Sequence, residues 1–162
     1  MFDGGVKVFE KLKRNDTVDI IAITSDGYVV VLEEQQPWRE KFYGLVWWTC
    51  EDGEDPLQTA HRELLEETWL VSVDWTLFNS YMLSSRIDYK SNIFIARNCE
   101  IVGSQNLDPG WEHIIIKKVC REDFIAVIAD PTFRVWEFAL DVLRSIVSGK
   151  EDEVKKKIFG DV

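Results

Sequence analysis

The chain has 162 residues, 46% hydrophobic and 30% charged, with a net charge of −10, which supports one domain with a proper core and is short for two. The acidic balance argues against a nucleic-acid duplex as partner, because phosphate contacts need clustered Lys and Arg. No apolar run approaches the ~20 residues that cross a bilayer, and residues 1–16 lack an apolar signal-peptide core, so the expected setting is cytoplasmic with no membrane partner.

Residues 17–24 are β-branched and apolar and read as a strand; Ser25-Asp26-Gly27 is a turn signal, and residues 28–32 form a second strand, giving a hairpin. A polar connection around Pro37 leads to a short apolar run at 45–48 and a loop at 51–54. Asp55-Pro56 then opens a helix, Asp as N-cap and Pro at the first helical position, running to about Thr68. Strands are predicted at 75–82, 92–96 and 112–119; Ile114-Ile115-Ile116 lacks alternation, so the last is expected to be buried on both faces. A short helix near 122–128 precedes a C-terminal amphipathic helix at about 132–147, with Phe133, Trp136, Leu140, Leu143 and Val147 as its stripe. Residues 150–162 read as a charged, solvated tail. The whole of 1–162 reads as a single α/β domain, a mixed sheet between helical layers.

The chemistry concentrates in Arg62-Glu63-Leu64-Leu65-Glu66-Glu67. Glu63, Glu66 and Glu67 are spaced i, i+3, i+4 and project from one helix face, while Leu57, Ala60, Leu64 and Thr68 can pack on the sheet. Taken alone, such a face is an ordinary solvated acidic surface. Clustered carboxylates also suit a hard divalent ion such as Mg²⁺ or Mn²⁺. From Glu54 the chain reads E-D-P-L-Q-T-A-H-R-E-L-L-E-E-T, which resembles the E-x7-R-E-U-x-E-E part of the Nudix box, six specified positions at fixed spacing. Residues 17–39 and 94–96 are similar to the segments flanking the box in ADP-ribose pyrophosphatase-like members.

The resemblance implies a Nudix-type α/β/α sandwich with a mixed β-sheet. It implies Mg²⁺-dependent (or Mn²⁺-dependent) hydrolysis of a nucleoside diphosphate linked to another moiety, with an ADP-ribose-like compound as the small-molecule substrate. In that family the box glutamates hold metal; they correspond to Glu63, Glu66 and Glu67, with Glu54 as a further candidate, and Arg62 would orient the carboxylates.

The match breaks at glycine. The box region, 48–70, has Trp48 and Trp69 where the family has glycine, and Trp47 replaces a second glycine common in that loop. Glycine lets backbone approach a phosphate closely and supplies a left-handed helix cap; an indole does neither freely. Two accounts stay open: a divergent natural member, or an engineered scaffold whose diphosphate pocket is refilled by aromatics. On either, Trp47, Trp48 and Trp69 are candidate substrate contacts, and a Trp-rich surface is expected to take an apolar ligand or protein partner, or to pair copies as a homodimer. Trp111 and His113 are candidates to complete such a site, and Arg39 and Arg86 are candidate anion contacts. Cys50, with His113, is a candidate nucleophile and base, against the more ordinary reading of a buried thiol. Three widely spaced cysteines, Cys50, Cys99 and Cys120, argue against a disulfide framework or a zinc site.

Overall fold

A computed structural model describes residues 8–35, 40–103 and 113–160, with only the backbone of His113. The elements in chain order are β1 (Leu12–Lys13), β2 (Thr17–Thr24), β3 (Val29–Gln35), β4 (Phe42–Gly44), β5 (Val46–Thr49), α1 (Pro56–Thr68), β6 (Leu70–Val71), β7 (Asp74–Tyr81), β8 (Ile87–Asp88), β9 (Ser91–Ile101), β10 (His113–Val119), α2 (Arg121–Ile128), α3 (Trp136–Val147) and α4 (Glu151–Phe159). The main sheet runs β10-β3-β2-β9-β6, with β4 on β3, β5 on β2 and β7 on β9; β1 and β8 form a separate pair. Its central pair, β2 and β9, is parallel, while the other pairings are antiparallel, so the sheet is mixed.

Strand β2 alternates cleanly. Val18, Ile20 and Ala22 pack with Ala60 and Leu64 of α1, whereas Ile21 and Ile23 pack with Phe124, Phe138, Val154 and Ile158 of α2, α3 and α4. The sheet therefore separates two apolar layers, each capped by helix, the α/β/α sandwich of the expectation. Among the described residues no helix is long and apolar enough to cross a membrane.

The sheet has a split that matters for function. Strands β2 and β3 are directly paired only at Ile23↔Val29. Beyond that point they part: β5 lies along β2 from Thr17 to Ile20, and β4 lies along β3 from Leu32 to Glu34. The chain thus wedges 42–49 between two strands that twist apart.

Three expectations need correction. Strand β10 is not buried on both faces: it pairs with β3 alone at the edge of the sheet, and Ile115 is exposed. The stripe predicted for the last long helix is largely its outer face. The helix starts at Trp136, buries Phe138 and Val142, and leaves Trp136, Leu140 and Val147 in solvent, Trp136 at 66%. Phe133 is buried, but ahead of the helix. Apolar residues occupy both sides of α3, so periodicity alone could not tell which side the sheet would take. Finally, residues 151–159 are no frayed tail. Val154 and Ile158 are buried, and Arg97 of β9 donates to the carbonyls of Ile158 (2.9 Å) and Lys157 (2.6 Å), satisfying groups the helix end leaves unpaired.

Candidate active site

Helix α1 is fixed at both ends. Asp55 is extended and its carboxylate accepts from the Leu57 amide at 2.9 Å, with Pro56 opening the helix. At the other end Trp69 takes the left-handed cap, φ 57° and ψ 22°, and its amide donates to the Leu65 carbonyl at 2.9 Å. The indole lies against Gly103, where a Cβ would come within 2.3 Å of Trp69 Cε3. Gly103 has the one side chain that leaves room for the ring.

Arg62 is the hub of the acidic face. Its guanidinium reaches Glu54 Oε2 at 3.2 Å, Glu66 Oε2 at 3.3 Å, and Glu63 Oε1 in a close contact. Glu54 is brought there by the preceding loop, whose Glu51 amide donates to Glu54 Oε2 at 3.1 Å while Gly53 supplies the positive φ of the turn. The Glu51 amide is the main reason the Glu54 carboxyl falls to about 2, with the Thr59 hydroxyl and Arg62 adding to it. Glu63 is only 2% exposed, and burial pushes its carboxyl up; Arg62 opposes this, and Glu66 and Glu67 reinforce it. Glu66 is exposed and Glu67 half-buried on the same helix.

The donor set is hard oxygen and suits Mg²⁺ or Mn²⁺. Glu54, Glu63, Glu66 and Glu67 outnumber the single Arg62, so the cluster keeps an excess of negative charge. Arg62 pairs with Glu54, Glu63 and Glu66, and among the described residues no three His, Cys, Asp or Glu side chains are gathered as a metal site.

The other predicted residues scatter. Trp47 and Trp48 are 43% and 45% exposed, their rings 6.3 Å apart on β5. Trp69 sits at the far end of α1 from Glu54. Arg86 is an exposed residue ahead of β8. Cys50 is buried and burial pushes its thiol up, the reverse of what a thiolate nucleophile needs. Arg39, Trp111 and the His113 side chain lie outside the described residues. His61, on another flank of α1, packs tilted against Trp75 with ring centroids 4.4 Å apart.

One feature escaped the sequence reading. A pocket of about 240 Å³ opens where β2 and β3 part, lined among others by Asp19, Leu45, Trp47, Ser91, Val135 and Glu137. The available signal was Asp19 itself, an acid in the middle of the apolar run Thr-Val-Asp-Ile-Ile-Ala-Ile-Thr.

The NUDIX domain family model matches residues 13–135. Among solved structures, an ADP compounds hydrolase is 21% identical with a TM-score of 0.67, covering 91% of this chain and 82% of its own. A NUDIX hydrolase from Nitrosomonas europaea is 21% identical with a TM-score of 0.59, covering 84% and 90%. A MutT, from a study of Aliivibrio salmonicida and Vibrio cholerae proteins, is 18% identical with a TM-score of 0.55, covering 83% and 97%. At these identities the likeness establishes the shared fold. No curated protein matches the chain.

Proposed function

This chain belongs to the Nudix family, and we propose that it is a divalent-metal-dependent hydrolase of a nucleoside diphosphate linked to a second group, with ADP-ribose as the first substrate to try. The observation that carries the reading is the Arg62-centred carboxylate cluster on the capped helix α1. Glu63, Glu66, Glu67 and Glu54 would hold Mg²⁺ or Mn²⁺. When bound, the metal neutralises diphosphate charge and lowers the pKa of a coordinated water.

The chain's own residues supply the rest. Arg62 holds Glu54, Glu63 and Glu66 on one side of the helix, limiting the rotamer freedom each loses when it takes up a ligand. Burial of Glu63 keeps one carboxyl out of bulk water. Hydrogen bonding from Glu51 keeps Glu54 ionised across the neutral range.

Turnover of ADP-ribose with Mg²⁺ or Mn²⁺ tests this directly. Activity should need the metal and drop by at least about a hundredfold in Glu66→Gln and Glu67→Gln, as expected when a group acting on the reacting oxygens is lost. A folded protein with metal-independent turnover, or with full activity in both variants, would rule the reading out.

A second reading has its own observation. Trp47 and Trp48 present two tilted, half-exposed indoles side by side. On that reading the chain is a Nudix scaffold that binds an apolar or aromatic partner without hydrolysing it. Fluorescence quenching by such a ligand, with no turnover of any nucleotide diphosphate, would favour it.

A further inference from the structure

The loop that carries Glu54 leaves the sheet at Cys50, and both backbone polar groups of Cys50 are held. Strand β5 ends at Thr49, paired with Thr17. One step on, the Cys50 amide donates to the Asp16 carbonyl at 2.8 Å, and the Cys50 carbonyl accepts from Asn15 Nδ2 at 3.0 Å. Residues 15–17 are braced in turn by the residue just ahead of β9. The Lys90 amide donates to Asp16 Oδ1 at 2.8 Å, and the Thr17 amide donates to the Lys90 carbonyl at 2.9 Å. Asn15 thus reaches the loop from a fixed segment 35 positions away in sequence.

The Cys50 carbonyl and the Glu51 amide belong to one peptide plane, and in a trans peptide the two point in opposite directions. Asn15 holds the carbonyl side. The amide side donates to Glu54 Oε2 at 3.1 Å, and the Glu54 amide closes the turn on the Glu51 carbonyl at 3.1 Å. From Glu54 the line continues to Arg62 at 3.2 Å, and Arg62 reaches Glu63 and Glu66.

We propose that Asn15 is a positioning residue for the carboxylate cluster: by fixing the Cys50–Glu51 peptide plane it sets where the Glu51 amide holds Glu54, and so how ready the cluster is for a divalent cation. The inference rests on the hydrolase reading for the cation. The link from Asn15 to Glu54 can be measured without one.

Two physical effects carry the link. The first is geometric. A peptide plane free to turn about the bonds on either side swings its N–H away from Glu54. A donor seated on the carbonyl oxygen removes that freedom before any ligand arrives, so less ordering is left to do on binding. The second is electronic. A donor on the carbonyl oxygen polarises the amide and strengthens the bond its N–H makes, as in any chain of hydrogen bonds. Both effects act in the same direction, and both act through the peptide rather than on the cation.

Asn15 is exposed, so its replacement leaves the core intact. Asn15→Ala and Asn15→Leu both remove the donor; the first also empties its space, and the second fills it with an apolar group. In nitrogen–proton correlation spectra of the full chain without metal, the Glu51 amide proton should move upfield in both variants and exchange with solvent faster. Mn²⁺ affinity, measured by calorimetry, should fall about two- to tenfold in Asn15→Ala, the loss expected for one neutral hydrogen bond. In a Glu54→Ala background the same replacement should cost no further affinity, because the group through which Asn15 acts is gone. A general loosening of the fold would lower both backgrounds alike.

A Glu51 amide unmoved in both Asn15 variants would overturn the inference. So would an Mn²⁺ affinity that does not change in Asn15→Ala, or one that falls equally with and without Glu54. The outcomes stay separable from those for catalysis. An unaltered chain that binds no Mn²⁺, beside a Glu51 amide that shifts in both variants, removes the hydrolase reading alone, since Asn15 still sets Glu54. Metal-dependent turnover beside an unmoved Glu51 amide removes only this inference.

Discussion

Trp69 offers a direct measure of how the chain tolerates an indole at a left-handed helix cap. A side chain with a Cβ at φ 57° is strained by roughly 1–2 kcal/mol relative to right-handed backbone. Replacing Trp69 with Ala keeps that strain and removes the indole; replacing it with Gly removes both. Gly also loosens the unfolded chain, offsetting about 0.4–1 kcal/mol. Gly should therefore be more stable than Ala at this position by about 1 kcal/mol. Both variants lose the packing of the ring on Gly103. The ring is half-buried, so that loss is about half of the 3–5 kcal/mol typical of a buried Trp. The expected order of urea midpoints at constant m is wild type, then Gly, then Ala. An Ala variant as stable as Gly, or a Gly variant more stable than wild type, would refute the reasoning.

Further outcomes follow from the charged groups. Arg62→Ala leaves Glu54, Glu63 and Glu66 without their shared cation; it should lower stability by about 1–2 kcal/mol, and millimolar Mg²⁺ should raise the melting temperature of the variant more than that of wild type. Equal Mg²⁺ shifts in the two proteins would count against a cation site there. Glu33, bonded by Lys117 and then Lys41, has its carboxyl held down at about 2. The folded state binds fewer protons there, so stability should be full above the ordinary Glu pKa of about 4.3 and fall as pH drops toward 2; Glu33→Gln should flatten part of that slope in urea titrations. Asp19 has the opposite sign: its carboxyl is raised, so its contribution should be full below about pH 4 and lost as pH rises through 7. Asp19→Asn should then gain on wild type between pH 5 and 8, and a parallel pair of stability curves would contradict the raised value.

What the sequence disclosed depended on how local each signal was. Helix α1 was readable to the residue, because Asp55 and Pro56 act within one turn and the carboxylate spacing belongs to a single helix. Strand β2 was readable because its β-branched run is uninterrupted apart from Asp19. Strand β10 misled because Ile114, Ile115 and Ile116 describe composition, whereas burial depends on which strands lie alongside, and only β3 does. Helix α4 was missed because Val154 and Ile158 are two apolar residues in a charged segment, held by Arg97 some sixty positions earlier. Trp69 was legible as a problem but not in its solution: the strain is local, while the space for the indole comes from Gly103 across the β6–β9 end of the sheet.

Glu54 and Asp19 are tuned in opposite directions. At Glu54, hydrogen bonds and Arg62 favour charge, and the carboxyl stays ionised far below neutrality. In the pocket beside β2, burial and Glu137 disfavour charge, and Asp19 sits near neutrality. Carboxyl groups whose environments push them apart in this way carry different tasks. An ionised cluster attracts cations, whereas a buried carboxyl near neutrality keeps its proton over more of the pH range. The split between β2 and β3 is what lets one sheet carry both. Strand β5 fills the gap beside β2, bringing Trp47 to the pocket while its neighbour Val46 packs in the layer that holds α1. A net charge of −10 would repel a nucleotide diphosphate from either region alone. It becomes compatible with such a ligand when a divalent cation stands between carboxylate and phosphate.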